Sequence, residues 1–578
     1  MFSLFFETKH RRALPLLLSF LAIAPFAVRA QNSEDVHAAG SNLLRVGDGS
    51  TTDALGNTTD KRYFEEIANA RIFFQNFSLG LRYELDDPSE VGRSYQDRNF
   101  RKRWLAYRKD QIDLQAGDVS ALFGRGLAVN LFESRPLNYD SWLDGLFGKT
   151  EYNIPKELVD ADMSVAVRGV GGKEDFYPIP ISQGALSVAD TLPMHISARA
   201  INGELGFWKH KVSLGAVFLE ANVTGDLLSP GLTAMRNVNQ PDFYADINSG
   251  EFEGYFEWTQ NRTQVTELLG TAPTAKGDTS HTGQAMYGSL SYSNSQFGIT
   301  FEYKNYDYFR HPVGDLYQDV FSKLPISSPP EVYKDFTFTS ITRSTHAVWF
   351  DDELGMQAEV NITAVPRWTI DLYGAASSRH DKYNISSVAV DSTNLLPRFT
   401  DNGFYPFWET YAEAEWDFNP ETDQDYIRFA IHRRSDVISY SPADSSAETK
   451  YATTVAAKFQ YETTPNQSIL AIWEHQWAYD GSILTPDKRR LNELITLQYS
   501  FNPTINFGAI LDLSIQYENG PYHLEDNWPQ GFVSLRMGHS HTLLMSYGSE
   551  RGGLNCTGGI CRVVPPFKGL RLTLTSQI

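Results

Sequence analysis

The sequence predicts an all-β protein, a large antiparallel transmembrane β-barrel of roughly 18–22 strands with short periplasmic turns and long extracellular loops. Three observations predict it. Apolar and polar residues alternate with a period of two over runs of about 9–11 residues, the length a tilted strand needs to cross a bilayer. The connectors between these runs alternate between very short and long. An apolar leader opens the chain, and no later stretch is long and apolar enough to form a membrane helix.

The leader comes first in chain order. His10, Arg11 and Arg12 precede an apolar run from Ala13 to Val28 that is broken by Pro15 and Pro25, and Val28-Arg29-Ala30 has the small-residue form of a cleavage site. Residues 1–30 therefore read as a secretory signal peptide. No Cys follows the cleavage site, so a lipid anchor is not expected there. Residues 31–66, rich in Asn, Thr, Asp and Gly, read as a flexible periplasmic segment too short to be a plug domain, and residues 67–578 read as the barrel.

The first clear strand sets Phe77, Leu79, Leu81, Tyr83 and Leu85 against Ser78, Gly80, Arg82 and Glu84. Further strands are expected at about 102–108, 110–118, 124–132, 163–170 and 194–208. In the last third, Ile495, Leu497, Tyr499 and Phe501 alternate with Thr496, Gln498 and Ser500. Phe507, Ala509, Leu511, Leu513, Ile515 and Tyr517 alternate with Gly508, Asp512, Ser514 and Gln516. Val533, Leu535 and Met537, then Leu543, Met545 and Tyr547, share the apolar face, as do Leu570, Leu572 and Leu574 of the closing run.

Short turns are expected near 208–211, 294–296, 365–367, 419–425, 463–467, 502–504 and 538–541. Long polar connections are expected near 222–241, 305–345, 379–405, 434–448, 479–488, 518–528 and 549–567. Outer-membrane barrels sort their loops in this way, and a soluble sandwich has no reason to. The location implied is the outer membrane of a Gram-negative cell, with membrane lipid and the barrel-assembly machinery as partners.

The chain carries a formal charge of −20, and loss of the leader, with four basic residues and one acid, leaves −23. Such a chain lacks the basic stripe of a nucleic-acid binder. The aromatic content of 13% suits two interfacial girdles, with Trp408, Trp416, Trp473 and Trp477 near strand ends. Cys556 and Cys561, spaced CTGGIC in the last long loop, are expected to form a disulfide, because two thiolates alone leave a structural zinc two ligands short. No metal or other cofactor is expected.

The run from Ala116 to Gly145, AGDVSALFGRGLAVNLFESRPLNYDSWLDG, resembles a pattern of a family of uncharacterised bacterial outer-membrane barrels found mainly in Bacteroidetes. It does so through Gly117, Phe123, Gly124, Gly126, Leu127, Glu133, Asp140, Asp144 and Gly145. The segment RGGLNCTGGICRVVPPFKG, Arg551 to Gly569, is similar to that family's ending. The resemblance implies a barrel of unknown function and transfers no catalytic residue. It departs from the usual pattern at Ile578, where such barrels commonly end on an aromatic. Physically, Gly124 and Gly126 around Arg125 permit either a turn at a strand start or an inward-folded constriction lined by Arg125 and Glu133.

If the apolar face meets lipid, its alternating partners line the lumen. These are Glu251, Glu253, Glu257, Glu302, Gln357, Glu359, Asn361, Asp371, Glu409, Glu413, Glu415, Glu474 and Asp512, with Arg428, His432, Lys458, Arg536 and Arg571 as basic counterparts. Either the acidic wall makes the lumen cation-selective, or the charges brace the interior, with Arg428 and Arg571 neutralising carboxylates. Glu409, Glu413 and Glu415 share one strand face and repel unless cations or basic side chains lie opposite. The function expected is a porin-like channel or transporter for small polar or cationic solutes. The alternative is a non-conducting structural or docking barrel that holds an envelope protein. No Ser/His/acid spacing supports an enzyme, and His539 and His541 read as turn residues.

Overall fold

The computed structural model describes residues 36–52, 57–90, 97–135, 139–156, 162–176, 194–226, 232–269, 279–308, 324–343, 345–346, 348, 350, 352–380, 395–419, 421–422, 424–441, 444–481, 488–517, 522–557, 560–564 and 566–577. The leader lies outside these residues.

Twenty-four long strands follow one another around a single sheet. They are β1 (Val36–Thr52), β2 (Thr58–Phe74), β3 (Phe77–Asp86), β4 (Asp97–Lys109), β5 (Ile112–Val119), β6 (Leu143–Ile154), β7 (Met163–Phe176) and β8 (Met194–Phe207). Next come β9 (Val212–Asp226), β10 (Leu232–Asn248), β11 (Phe252–Leu269), β12 (Thr279–Ser293), β13 (Phe297–Asp307), β14 (Asp352–Ile362), β15 (Trp368–Ser378) and β16 (Phe407–Asn419). The last are β17 (Asp425–Ser441), β18 (Ser446–Thr464), β19 (Gln467–Asp480), β20 (Arg489–Asn502), β21 (Ile505–Tyr517), β22 (Tyr522–Met537), β23 (His541–Glu550) and β24 (Phe567–Gln577). Each pairs antiparallel with the next. β24 closes on β1, from Ser41 opposite Gln577 to Ser50 opposite Lys568. Closure leaves no free edge, which is the condition for strands to cross hydrocarbon.

The alternation has the face expected of it. Leu497, Phe501, Phe507 and Leu511 are exposed on the outer wall, as are Phe77, Leu79, Leu81, Phe256, Phe301, Phe429 and Ile431. Turns at one end are short, 75–76, 110–111, 294–296, 465–466 and 503–504 among them, and the connections at the other end include the long ones. Near the short-turn end Trp368 stacks on Trp416, Phe418 on Phe459 and Tyr461, and Tyr499 meets Phe507 edge-on. These rings form an aromatic belt at the level where a bilayer meets water. Among the described residues no helix is long and apolar enough to cross a membrane. The chain is an outer-membrane β-barrel.

Four expectations are corrected. The strand count is 24, above 18–22, partly because the supposed flexible segment 31–66 contains β1 and the start of β2. Val36–Thr52 alternates poorly, but it lies between β2 and β24 and pairs with both, so its partners order it. Residues 124–132 are not a barrel strand. They belong to a small pair, Leu122–Phe123 with Val129–Asn130, and the wall resumes only at β6. The connections near 222–241, 434–448 and 518–528 are shorter than expected, because β9, β10, β17, β18 and β22 run on past the length a membrane requires. Many tyrosines lie inside the barrel and not in a girdle: Tyr244, Tyr255, Tyr287, Tyr306, Tyr373 and Tyr411 are buried.

The interior is not lined by polar residues alone. Two connections fold back into it through their described residues, 120–135 and 139–142 after β5, and 324–343, 345–346, 348 and 350 after β13. Their apolar residues Phe123, Leu127, Val129, Leu131, Leu324, Ile326 and Phe350 form one buried cluster with the inward side chains of β7–β13. A second cluster packs Phe338 and Ile341 against Tyr373, Phe407 and Tyr411.

Candidate functional site

The two in-folded connections form a partition inside the lumen, and the site is the set of contacts that hold it to the wall. The FGRGL segment makes the first of these. Gly124 and Gly126 have φ of +58° and +93°, a conformation glycine adopts without strain, and they turn the chain tightly at the tip of the small pair. The turn presents its backbone to fully buried Glu257, which accepts hydrogen bonds from Arg125 N at 2.6 Å and Leu127 N at 3.2 Å. Tyr255 donates its hydroxyl to the same carboxylate at 2.6 Å, and the Arg125 guanidinium lies 5.0 Å over the Tyr255 ring. A Cβ on Gly124 would lie 2.7 Å from the Glu257 carboxylate, so glycine is what lets the turn approach.

The carbonyl of Leu127 accepts from Gln240 at 2.9 Å, Tyr308 at 2.8 Å and Ser327 at 2.6 Å. Asn130 N donates to Ile326 O, and Tyr139 OH to Pro325 O, so the two connections are also bonded to each other. On the opposite side of the segment, Arg82 on β3 holds both oxygens of Glu133 at 2.8 Å, and Lys102 on β4 holds Asp140 at 2.5 Å. Burial opposes charge on Glu133, but Arg82 and Arg135 outweigh it and hold the carboxyl below its ordinary range.

The second connection is fastened to the other side of the barrel. Glu474 on β19 accepts from Thr339 N at 3.1 Å and Ser340 N at 2.7 Å, capping a single helical turn, α1 (Thr339–Thr342). Gln476 donates to Ser340 O at 2.8 Å, and Arg343 pairs with Asp512 on β21 at 2.5 Å. Lys334 pairs with Glu359. Phe336 lies between Tyr373, Tyr411 and His432, with centroids 4.8–5.6 Å away.

His346 is a buried fastening set among charged groups. Its ring stacks on Phe407 at 4.0 Å, Nδ1 is 3.0 Å from Asp436 on β17, and Nε2 is 3.5 Å from Glu353 on β14. Lys304 and Arg434 in turn pair with Glu353 and Asp436 at 2.6 Å and 2.9 Å. Burial works against a charge on this imidazole, but Asp436 and then Glu353 outweigh it and push His346 up to about 9. Ser377 Oγ lies 3.4 Å from Nε2, giving a Ser–His–Asp order. The imidazole lies between two carboxylates, and so placed it fastens the connection to the wall.

The acids read from the sequence lie on the inner wall, except Glu251, which is exposed in the turn before β11, and each has a partner, that of Glu251 being the Tyr292 hydroxyl at 3.3 Å. Glu302 receives Tyr287 and Gln357, Asp371 receives Asn361, and Glu409 receives Tyr373 at 3.0 Å with His432 at 3.2 Å. Glu413 receives Tyr411 and lies 3.3 Å from Arg428, whose Nε holds Glu415 at 2.8 Å. Glu253 lies close to the short-turn end, bonded to Asn248 at 3.1 Å. Arg571 pairs with Glu90 at 2.9 Å and with Glu550, beside the β1–β24 seam that Arg45, Glu65 and Glu90 also brace. His541, expected in a turn, opens β23 instead, and its Nδ1 meets Ser576 Oγ of the paired strand β24 at 2.9 Å. Cys556 stands opposite Cys561 in the pair Gly553–Thr557 with Ile560–Val564, and their side chains lie outside the described residues. Sequence reasoning missed Lys304, Lys334, His346, Glu353, Arg434 and Asp436. For Lys304, Glu353, Arg434 and Asp436 the signal was the alternation that set Glu302, Glu359 and Arg428 inward, carried a few residues farther; for Lys334 and His346 it was a long connection carrying Lys, His and several aromatics, which reads equally well as an extracellular loop.

A cavity of about 420 Å³ opens at the short-turn end on the arc β17–β23, lined by Gln424, Gln467, Ser500, Asn506, Ser534 and Arg536 among others. Among the described residues no group of three His, Cys, Asp or Glu is placed to hold a metal.

No curated protein matches the chain. Among solved structures it is similar to the siderophore receptor PirA from Pseudomonas aeruginosa, at 8% identity and a TM-score of 0.43 over 94% of this chain and 80% of that one. It is also similar to the ferric citrate transporter FecA, at 12% identity and a TM-score of 0.40 over 93% and 78%. The P pilus usher PapC translocation pore gives 8% identity and a TM-score of 0.39 over 94% and 99%. The model of the Family of unknown function (DUF6029) matches residues 50–578, and the chain belongs to that family.

Proposed function

We propose that this protein moves small polar solutes across the outer membrane through a lumen that its own in-folded connections gate. One observation carries the reading: the partition is fastened to the wall by groups that are costly to bury and worth burying only together. His346 between Asp436 and Glu353, and Glu474 on two backbone N–H groups, are of this kind. A merely structural filling has no need of charged fastenings where apolar packing serves at least as well. Charges that hold only in one arrangement suit an element with two.

Planar-bilayer recording of the purified full-length protein tests this. The wild type is expected to show brief, infrequent openings. His346→Gln and Glu474→Gln, which loosen the partition without touching the outer wall, are expected to raise the open fraction. A bilayer silent with the wild type and both variants, each folded in detergent, refutes transport and favours the docking barrel.

A further inference from the structure

The inner wall has two chemistries. On the arc β10–β17 it carries Glu257, Glu302, Glu359, Glu409, Glu413 and Glu415, each bonded to a base, a phenol, an amide or a backbone N–H. These carboxylates are occupied in holding the partition and the wall, so they offer little net attraction to a passing cation. On the arc β20–β24 the inward residues of the half nearest the short turns are uncharged apart from Arg536, and Asp512 and Arg571 farther along are paired with Arg343 and Glu90. Thr496 and Gln498 share a face with Ser500, and Thr573 and Thr575 lie opposite Leu544 and Thr542. The cavity of about 420 Å³ opens on this side. Gln424, Asn466, Gln467 and Asn506 bring amides to it, Ser500 and Ser534 bring hydroxyls, and its lining includes one charge of each sign, Glu462 and Arg536.

Resting on the transport reading above, we infer that this cavity is a binding site for an uncharged polyhydroxylated solute of sugar type, and that the arc β20–β24 is its path. An amide presents a donor and an acceptor on one plane, which suits two neighbouring hydroxyls, and wall hydroxyls both donate and accept. A polyol entering such a site exchanges its hydrogen bonds to water nearly one for one. An ion entering it gives up hydration for a wall of amides and hydroxyls whose two charges, Glu462 and Arg536, are opposite in sign. The volume lies within the range of small-molecule sites and fits one or two sugar rings. This replaces the cation preference expected from the acidic residues, because those residues are paired and the cavity lining carries no net charge.

Swelling of liposomes that contain the full-length protein decides it, using sucrose, N-methylglucamine and gluconate as probes, with the wild type and with His346→Gln. Sucrose is expected to enter several-fold faster than either ion. In Asn506→Asp and Ser534→Asp, sucrose entry should fall and N-methylglucamine entry should rise. N-methylglucamine faster than sucrose with the unaltered cavity, or a preference that neither substitution changes, overturns the solute assignment and leaves transport standing. No entry of any probe with any of these proteins overturns transport itself and the solute assignment with it.

Discussion

His346 offers the sharpest test of a gated partition, because its charge is worth having only while the partition is in place. In water an imidazole titrates near 6.5, and between Asp436 and Glu353 it titrates at about 9. The difference corresponds to about 3 kcal/mol favouring the fastened state, an order-of-magnitude figure for a group only 6% exposed. The sign follows from the raised value. The stabilisation is present in full below about pH 6.5, declines as pH rises from there, and is lost above about 9. Lys304 and Arg434, the other bases in the cluster, are paired with the same two carboxylates and remain after the imidazole loses its proton. Open fraction in planar bilayers, scanned from pH 6 to 10, should therefore rise by about two orders of magnitude in the wild type if His346 alone sets the balance. His346→Gln should start high and stay nearly flat across the same range. A wild-type profile that is flat, or one that His346→Gln reproduces, refutes the reasoning, and a steep profile retained in the variant assigns the titration to another group.

Other perturbations test other fastenings. Gly124→Ala places a methyl about 2.7 Å from the Glu257 carboxylate in a backbone conformation that disfavours it, and should cost about 1–3 kcal/mol, seen as faster proteolysis within 120–142 in detergent. Arg428→Ala leaves Glu413 and Glu415 without their shared base and should destabilise the barrel by about 2 kcal/mol or more, measured by denaturant unfolding. Arg571→Ala removes a base from beside the seam and should lower the temperature at which the barrel stops migrating as a compact species in detergent gels. Cys556 and Cys561, opposite each other across a short pair, should appear in an unreduced digest as one peptide lighter by two hydrogens than its reduced form.

What could be read from the chain divides along a physical line. The faces of β20 and β21 were legible because each has lipid on one side and lumen on the other, so a period of two is imposed locally. The inward placement of Glu409, Glu413 and Glu415 followed from the same rule, and Arg428 and His432 were on the inward list beside them. Val36–Thr52 was illegible because its strand character comes from its two partners, one of which is more than five hundred residues away. FGRGL read as a strand start or a constriction, and nothing near it in the chain says that its backbone meets a carboxylate 132 residues on.

The partition was hidden for the same reason. Thr339 and Ser340 find their acceptor in Glu474, and His346 finds Asp436 and Glu353, so every contact that draws this connection inward is distant in sequence. A long polar connection and a folded gate look alike until their partners are known. This also explains why the charge of the wall misled. Acids were visible one strand at a time, whereas the base that neutralises Glu359 is Lys334, carried by a connection that the loop-length rule assigns to the exterior. In a barrel whose loops return inside, selectivity is set by the groups left over after the loops have taken theirs, and here those are the amides and hydroxyls between β17 and β24.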